Sequence, residues 1–164
     1  MRKELLAVVA VGLCISLSVA IDGSETADQA VNRVLDTLHK AASNANSDLY
    51  FGLFAEDAVF MGTDATERWS MDEFRAFAEP YFSQGRGWTY TVSERHVYVA
   101  VDGATAWFDE LLWNENYGTC RGTGVLVRTG RGWRISQYNL TIPIPNDLAG
   151  EFTARIKDFA DATR

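Results

Sequence analysis

Three observations predict an α+β fold for this 164-residue chain. Helical periodicity dominates the stretch from Thr26 to about Tyr81, the hydrophobic period shortens to two from Trp88 onward, and turn signals then recur at hairpin spacing. Helices followed by an antiparallel meander give a strongly curved sheet wrapped over helices. With 47% hydrophobic and 12% aromatic residues the chain can bury a core, and its length suits one domain.

The elements follow in order. Residues 1–20 are read as a signal peptide: Arg2 and Lys3 precede an apolar run from Leu5 to Leu17, and Ser18-Val19-Ala20 offers small residues for cleavage near Ala20. Export, periplasmic or secreted, is therefore expected, with residues 21–164 forming a single domain. The alternative is an N-terminal anchor over residues 5–21, which just reaches the lower limit of a membrane span. Thr26 and Gln29 have capping-box spacing, and Val31, Val34, Leu35, Leu38 and Ala42 continue on one helical face. Asn44 to Ser47 breaks that helix, and Asn46 or Ser47 can cap a short second one carrying Leu49, Leu53 and Phe54. Ala58 to Thr63 reads as a strand. Ser70 and Glu73 form a second capping box, opening a helix with Phe74, Phe77, Ala78 and Tyr81 on its apolar face.

In the second half Trp88, Tyr90 and Val92 are apolar at even positions but Val97, Val99 and Val101 at odd ones. The inward face therefore switches between Ser93 and His96, as a bulge would do. Asp102-Gly103 is a hairpin turn. Strands are predicted over Thr105 to Asn114, Thr119 to Arg128 and Trp133 to Ile142, where Pro143 and Pro145 stop the sheet. Asn146 is expected to cap a final helix whose Leu148, Phe152, Ile156 and Phe159 share a face.

Charge and motifs exclude several functions. The net charge of −7, with no Lys/Arg run, argues against nucleic acid and against any membrane contact beyond the N-terminal segment. No phosphate cradle, Ser-His-Asp arrangement or metal-ligand spacing occurs, so neither a cofactor nor a metal is expected. Cys120 reads as a small core residue, and His39 and His96 as surface or hydrogen-bonding residues.

Phe54-Ala55-Glu56-Asp57-Ala58-Val59-Phe60 entering the first strand and Gly132-Trp133-Arg134-Ile135 entering the last resemble the SnoaL-like branch of the nuclear transport factor 2-like superfamily. The stretches Asp64 to Trp69 and Ala106 to Leu112 are similar to a bacterial group within it whose function is unassigned. The resemblance covers roughly Glu25 to Ala149. It implies a cone-shaped barrel: a bent, mainly antiparallel sheet around N-terminal helices, enclosing one deep pocket, with dimerisation through the sheet common, hence a homodimer. Where ketosteroid isomerase has its pocket Tyr and two Asp, Leu38, Gly62 and Gly124 align, so isomerisation by that constellation is disfavoured. Dehydratase chemistry of the scytalone type would want a pocket His, and His39 and His96 alone are available.

Strand alternation then sorts the candidates. If Asn116-Tyr117 is a two-residue turn, Asp109 pairs with Gly124 and shares the pocket face with Trp107 and Trp113. A slip of one residue would instead place Glu110 and Arg121 inside; the first register is preferred. Phe60, Gly62 and Asp64 share the pocket face of the first strand. Asp109 and Asp64 are thus the candidate acid/base pair, and Phe60, Trp69, Tyr81, Trp107, Trp113 and Tyr138 the candidate pocket wall. The alternative for Asp64 is a loop cap before Arg68. Three readings stand: an exported protein binding a small apolar or ring-containing molecule, a cofactor-independent lyase, isomerase or cyclase, and a dimeric interaction module.

Overall fold

A computed structural model describes residues 25–163. The proposed signal peptide or anchor lies outside the described residues. Both capping boxes form and start the two longer N-terminal helices. In α1 (Ala27–Ser43) the Thr26 hydroxyl accepts from the Gln29 N–H at 3.2 Å, and the Gln29 carboxamide accepts from the Thr26 N–H at 3.0 Å. Ser70 and Glu73 do the same at the head of α3 (Met71–Phe82). Each box satisfies two N–H groups that a helix start leaves without partners. Between them, Asn46 caps the short α2 (Ser47–Gly52), its side chain accepting from the Leu49 N–H.

The sheet has six strands in the order β2-β1-β6-β5-β4-β3. They are β1 (Phe54–Met61), β2 (Arg68–Ser70), β3 (Thr91–Val99), β4 (Thr105–Asn114), β5 (Gly118–Thr129) and β6 (Gly132–Thr141). All neighbours are antiparallel except β1 and β6, which run parallel. The predicted face switch is a register shift between Val92 and Glu94. One face of the sheet packs on the helices. Val31, Leu35 and Leu38 of α1, Phe74 and Ala78 of α3, and Phe108, Leu112, Leu126 and Ile135 of the strands form the buried core, with Cys120 among them. Burial raises the Cys120 thiol pKa, in keeping with a packing residue.

Three sequence expectations need correction. The first strand begins at Phe54 rather than Ala58, because Leu53 ends α2, its carbonyl accepts from the Ile135 N–H, and Phe54 then pairs beside Ile135. The three-residue β2, too short to show a period, was not anticipated. Asn146 does not cap the last helix. It opens a 3-10 turn over Asn146–Leu148, and α4 (Ala149–Ala162) follows with Leu148 at its N-cap and no side-chain cap. No residue of α4 is buried, and its apolar face of Phe152, Ile156 and Phe159 is exposed. Among the described residues no helix is long and apolar enough to cross a membrane.

Candidate functional site

The β4–β5 hairpin decides which side chains face the helices. Asn114 pairs with Gly118, so three residues, Glu115 to Tyr117, make the connection instead of two. Gly118 adopts φ +69°, where a side chain would be strained, and the Asn114 carboxamide oxygen accepts from the Asn116 and Tyr117 N–H groups. The extra turn residue shifts the pairing by one: Phe108 lies opposite Gly124, Asp109 opposite Thr123, and Glu110 opposite Gly122. The inward face of β4 is therefore Ala106, Phe108, Glu110 and Leu112, which overturns the preferred register; Glu110 is inside as the alternative had it, but Arg121, opposite Leu111, is exposed.

Glu110 is 1% exposed and is the centre of a polar network. Its Oε1 accepts from the Tyr138 hydroxyl and lies within hydrogen-bond distance of His39 Nε2, both at 2.9 Å. Its Oε2 accepts from Arg95 Nε at 2.7 Å. Arg95 continues outward to Asp36 of α1, Nη1 to Oδ1, at 2.7 Å. Burial pushes the Glu110 carboxyl up, but the hydrogen bonds and charges of His39 and Arg95 outweigh it and hold the pKa below the ordinary glutamate value. Burial, and then the Glu110 charge, drive the Tyr138 hydroxyl well above its usual range, so it remains a donor. Gly122 makes room for this: a Cβ there would run into the Tyr138 hydroxyl and lie 2.9 Å from Glu110 Oε1. A carboxylate fixed in this way can orient His39 and Tyr138. It is poorly placed to take up a proton itself, since its ionised form is the one the three partners stabilise.

Above this network lies an aromatic slot. A cavity of about 200 Å³ is lined by Phe60, Trp69, Phe74, Phe77, Trp88, Tyr90, Tyr117 and Leu140, with Gly62, Thr63 and Glu67 completing the wall. Several of its rings are nearly coplanar in orientation: Phe60 and Phe74 stack at 3.9 Å and 18°, Trp69 and Phe77 at 4.7 Å and 23°, and Trp69 and Phe74 at 5.5 Å and 5°. A recess of about 20 Å³ continues inward from Phe60, Trp88, Tyr90 and Leu140 to His39 and Tyr138. It has the size of a single water site.

The slot contains three of the six pocket residues read from sequence: Phe60, Trp69 and, at the recess, Tyr138. The other three lie elsewhere. Trp107 and Trp113 point to the outer face of the sheet, 46% and 57% exposed, because the one-residue shift reversed their side. Tyr81, placed on the helical face with Phe77, is also exposed, beside the Arg86 guanidinium. The two candidate acids do not meet. Asp109 is outward and 3.3 Å from His96, while Asp64 accepts from the Thr66 N–H and hydroxyl at 2.8 and 2.6 Å in the exposed loop before Arg68. The Thr66 bonds, hydroxyl first, lower the Asp64 pKa as expected of a loop cap. Sequence reasoning named Glu110 only as the disfavoured alternative and missed the chain that links it to His39, to Arg95 and, through Arg95, to Asp36. The available signal was the turn itself: Gly118 after Asn114 to Tyr117 suits a three-residue connection that ends on a positive-φ glycine. Among the described residues no three His, Cys, Asp or Glu side chains are placed to hold a metal ion.

This architecture is shared with solved structures that have diverged far in sequence. An NTF2-like protein of unknown function from Pseudomonas putida superposes with a TM-score of 0.62 at 15% identity, over 73% of this chain and 89% of that one. A candidate aromatic-ring hydroxylase from Novosphingobium aromaticivorans gives 0.57 at 19% identity, over 71% and 88%. A candidate dehydratase of the NTF2-like family from Streptomyces avermitilis gives 0.59 at 13% identity, over 72% and 96%. At these identities the likeness defines a class of fold, the NTF2-like α+β cone. Within that class the chain belongs to the SnoaL-like domain family, whose profile matches residues 31–145. No curated protein matches the sequence.

Proposed function

We propose that this protein binds a small, flat, ring-containing molecule in the slot lined by Trp69, Phe77 and Trp88. The observation that carries the reading is a roughly 200 Å³ space whose walls are mainly aromatic, with Thr63 and Glu67 on one side, and whose inner end is polar, at Tyr138 and His39. Its size sets the ligand class. A cavity of about 150 Å³ accommodates benzene, whereas drug-sized ligands fill about 300 Å³ or more. One ring with small substituents, or at most two fused rings, is the match. Parallel side chains suit stacking, worth about 0.5–1.5 kcal/mol per aromatic pair beyond area burial.

A catalytic alternative rests on different residues from those the sequence suggested. Because Asp64 and Asp109 border no shared space, proton transfer would fall to His39, oriented by Glu110 at the floor of the slot. Binding is preferred, since Glu110 is locked as an ion and the recess beside His39 admits only about one water.

Tryptophan fluorescence titration with 2-naphthol tests the binding reading. Trp69→Ala is expected to weaken binding about tenfold through lost stacking and contact area, with Trp107→Ala unchanged. Equal affinity in both variants and the parent would refute the slot. The catalytic reading predicts product from bound ring compounds, lost in His39→Asn. Export of the binder, expected from residues 1–20, is checked by N-terminal sequencing of protein recovered outside the cytoplasm, which should begin near Ile21.

A further inference from the structure

A second and larger cavity, of about 460 Å³, lies at the opposite end of the sheet from the aromatic slot. The slot opens beside the β4–β5 connection at Tyr117, whereas this cavity sits beneath the β5–β6 turn and against the first turns of α1. The two share no lining residue.

Its chemistry is the reverse of the protein's average. Arg33, Arg128, Arg131 and Arg134 border it, and Glu25 is the sole acid among its lining residues. In a chain with 15 basic and 22 acidic residues, this is a local excess of positive charge. The guanidinium groups are not all committed. Glu25 pairs with Arg33, and Arg134 Nη1 donates to the Trp133 carbonyl at 2.8 Å. Arg128 and Arg131 have no ion pair, side-chain hydrogen bond or ring contact among the described residues. The remaining lining forms a mostly apolar floor, with Ala27, Ala30, Val34, Leu53 and the buried Trp133 beside Thr26, Thr37 and Gly132. The head of α1 adds no free donor of its own at Thr26 or Gln29, since its capping box already satisfies those N–H groups. Recognition therefore falls to the arginines and the floor.

We propose that this cavity binds an amphiphilic organic anion, a carboxylate, sulfonate or phosphate on an apolar body. The acidic group sits between Arg128 and Arg131, where planar guanidinium forks match a two-oxygen acceptor. The apolar body covers Ala30, Val34 and Leu53. The volume lies within the range of drug-sized ligand pockets, about 300–1,000 Å³, so the ligand is larger than the slot would admit. A simple inorganic anion would leave most of that floor wet.

The test uses the full chain and the fluorescent anion 8-anilinonaphthalene-1-sulfonate. Arg128→Ser/Arg131→Ser, both at exposed positions, should weaken binding at least about tenfold, as expected for losing two charge-assisted hydrogen bonds. Raising NaCl from about 0.05 M to about 0.5 M should weaken it as well. Ala30→Trp, which fills the floor without touching charge, should also reduce it, with circular dichroism showing whether the fold is kept. Trp69→Ala should leave this affinity unchanged, which separates the proposal from the slot reading: either can fail alone. Unchanged affinity in the double arginine variant would overturn the proposal. So would equal binding of the neutral N-phenyl-1-naphthylamine at this cavity, or displacement of the probe by an equal concentration of inorganic phosphate.

Discussion

Glu110 and Asp109 are neighbouring carboxylates in one strand, and they live in different physical worlds. Glu110 faces the helices, is 1% exposed, and is held by Arg95, Tyr138 and His39. Asp109 faces outward, its side chain half exposed, with His96 at 3.3 Å. The same division separates Phe108, which is buried, from Trp107, which stacks on Tyr98 at 5.7 Å in the open. Bulk and aromaticity did not decide the inner face. The opposite strand did, by offering Cys120, Gly122, Gly124 and Leu126 on one side and Thr119, Arg121 and Thr123 on the other.

The largest expected effect comes from removing Glu110. Glu110→Ala removes the buried one of the two carboxylates that hold the Arg95 guanidinium, itself only 7% exposed, leaving it Asp36, and leaves Tyr138 and His39 without their acceptor. Breaking a buried pair from one side costs about 3–5 kcal/mol. Asp109→Ala should stay within about 0.5 kcal/mol, as for other surface substitutions. Urea denaturation of the two variants measures the contrast, and similar losses would erase it. Acid sharpens the same comparison. The folded pKa of Glu110 lies below its ordinary value of 4.5, so its contribution is complete above that value and is lost as the pH falls through the folded pKa. The stability gap between the parent and the isosteric Glu110→Gln should therefore be widest near neutrality and shrink on acidification below about pH 4.

These contrasts also locate what the sequence conveyed. The helix starts were legible because a capping box is a local device: Thr26 with Gln29 and Ser70 with Glu73 depend on nothing outside one turn. The bulge near Ser93 was legible because it leaves a change of parity in the apolar pattern. The site was harder, since it hangs on the count of residues in one turn. Asn114 takes the N–H groups of both Asn116 and Tyr117, and Gly118 supplies the positive φ, a three-residue connection whose pattern resembles a two-residue one. One residue of slip against β5 exchanges the faces of β4, and with them Asp109 for Glu110. Phe60, Trp69 and Tyr138 escaped that error because they stand on β1, β2 and β6, whose faces do not depend on this turn. α4 forms as its amphipathic period predicts, but periodicity says nothing about whether the chain itself supplies the surface to cover that face.

A smaller perturbation probes how tightly the inner face is filled. Gly122→Ala would drive a methyl group toward the Tyr138 hydroxyl and Glu110 Oε1, in the centre of the network. Overpacking of this kind costs typically about 1–3 kcal/mol. The control is Gly130→Ala in the β5–β6 turn, where an added Cβ meets nothing within 4 Å. A shift of the Tyr138 hydroxyl away from Glu110, read as loss of thermal stability in the first variant alone, would confirm that the close approach is what calls for glycine.

The smallest effect belongs to the outer face. Trp107 and Tyr98 are directly paired across β3 and β4, and their rings lie 15° from parallel. Cross-strand aromatic pairs contribute about 0.2–1 kcal/mol, and here solvent reaches both rings, so Trp107→Ala should cost no more than that range. Phe108→Ala, one residue away but 3% exposed and packed against Tyr138 at 5.7 Å, should cost about 3–5 kcal/mol. The measurement is best made at two protein concentrations. A cost for Trp107→Ala that is the same at both describes a strand pair standing in water. A cost that changes with dilution would mean that a second copy of the chain covers these rings, and that the outer face is buried in the assembly by a surface the monomer does not contain.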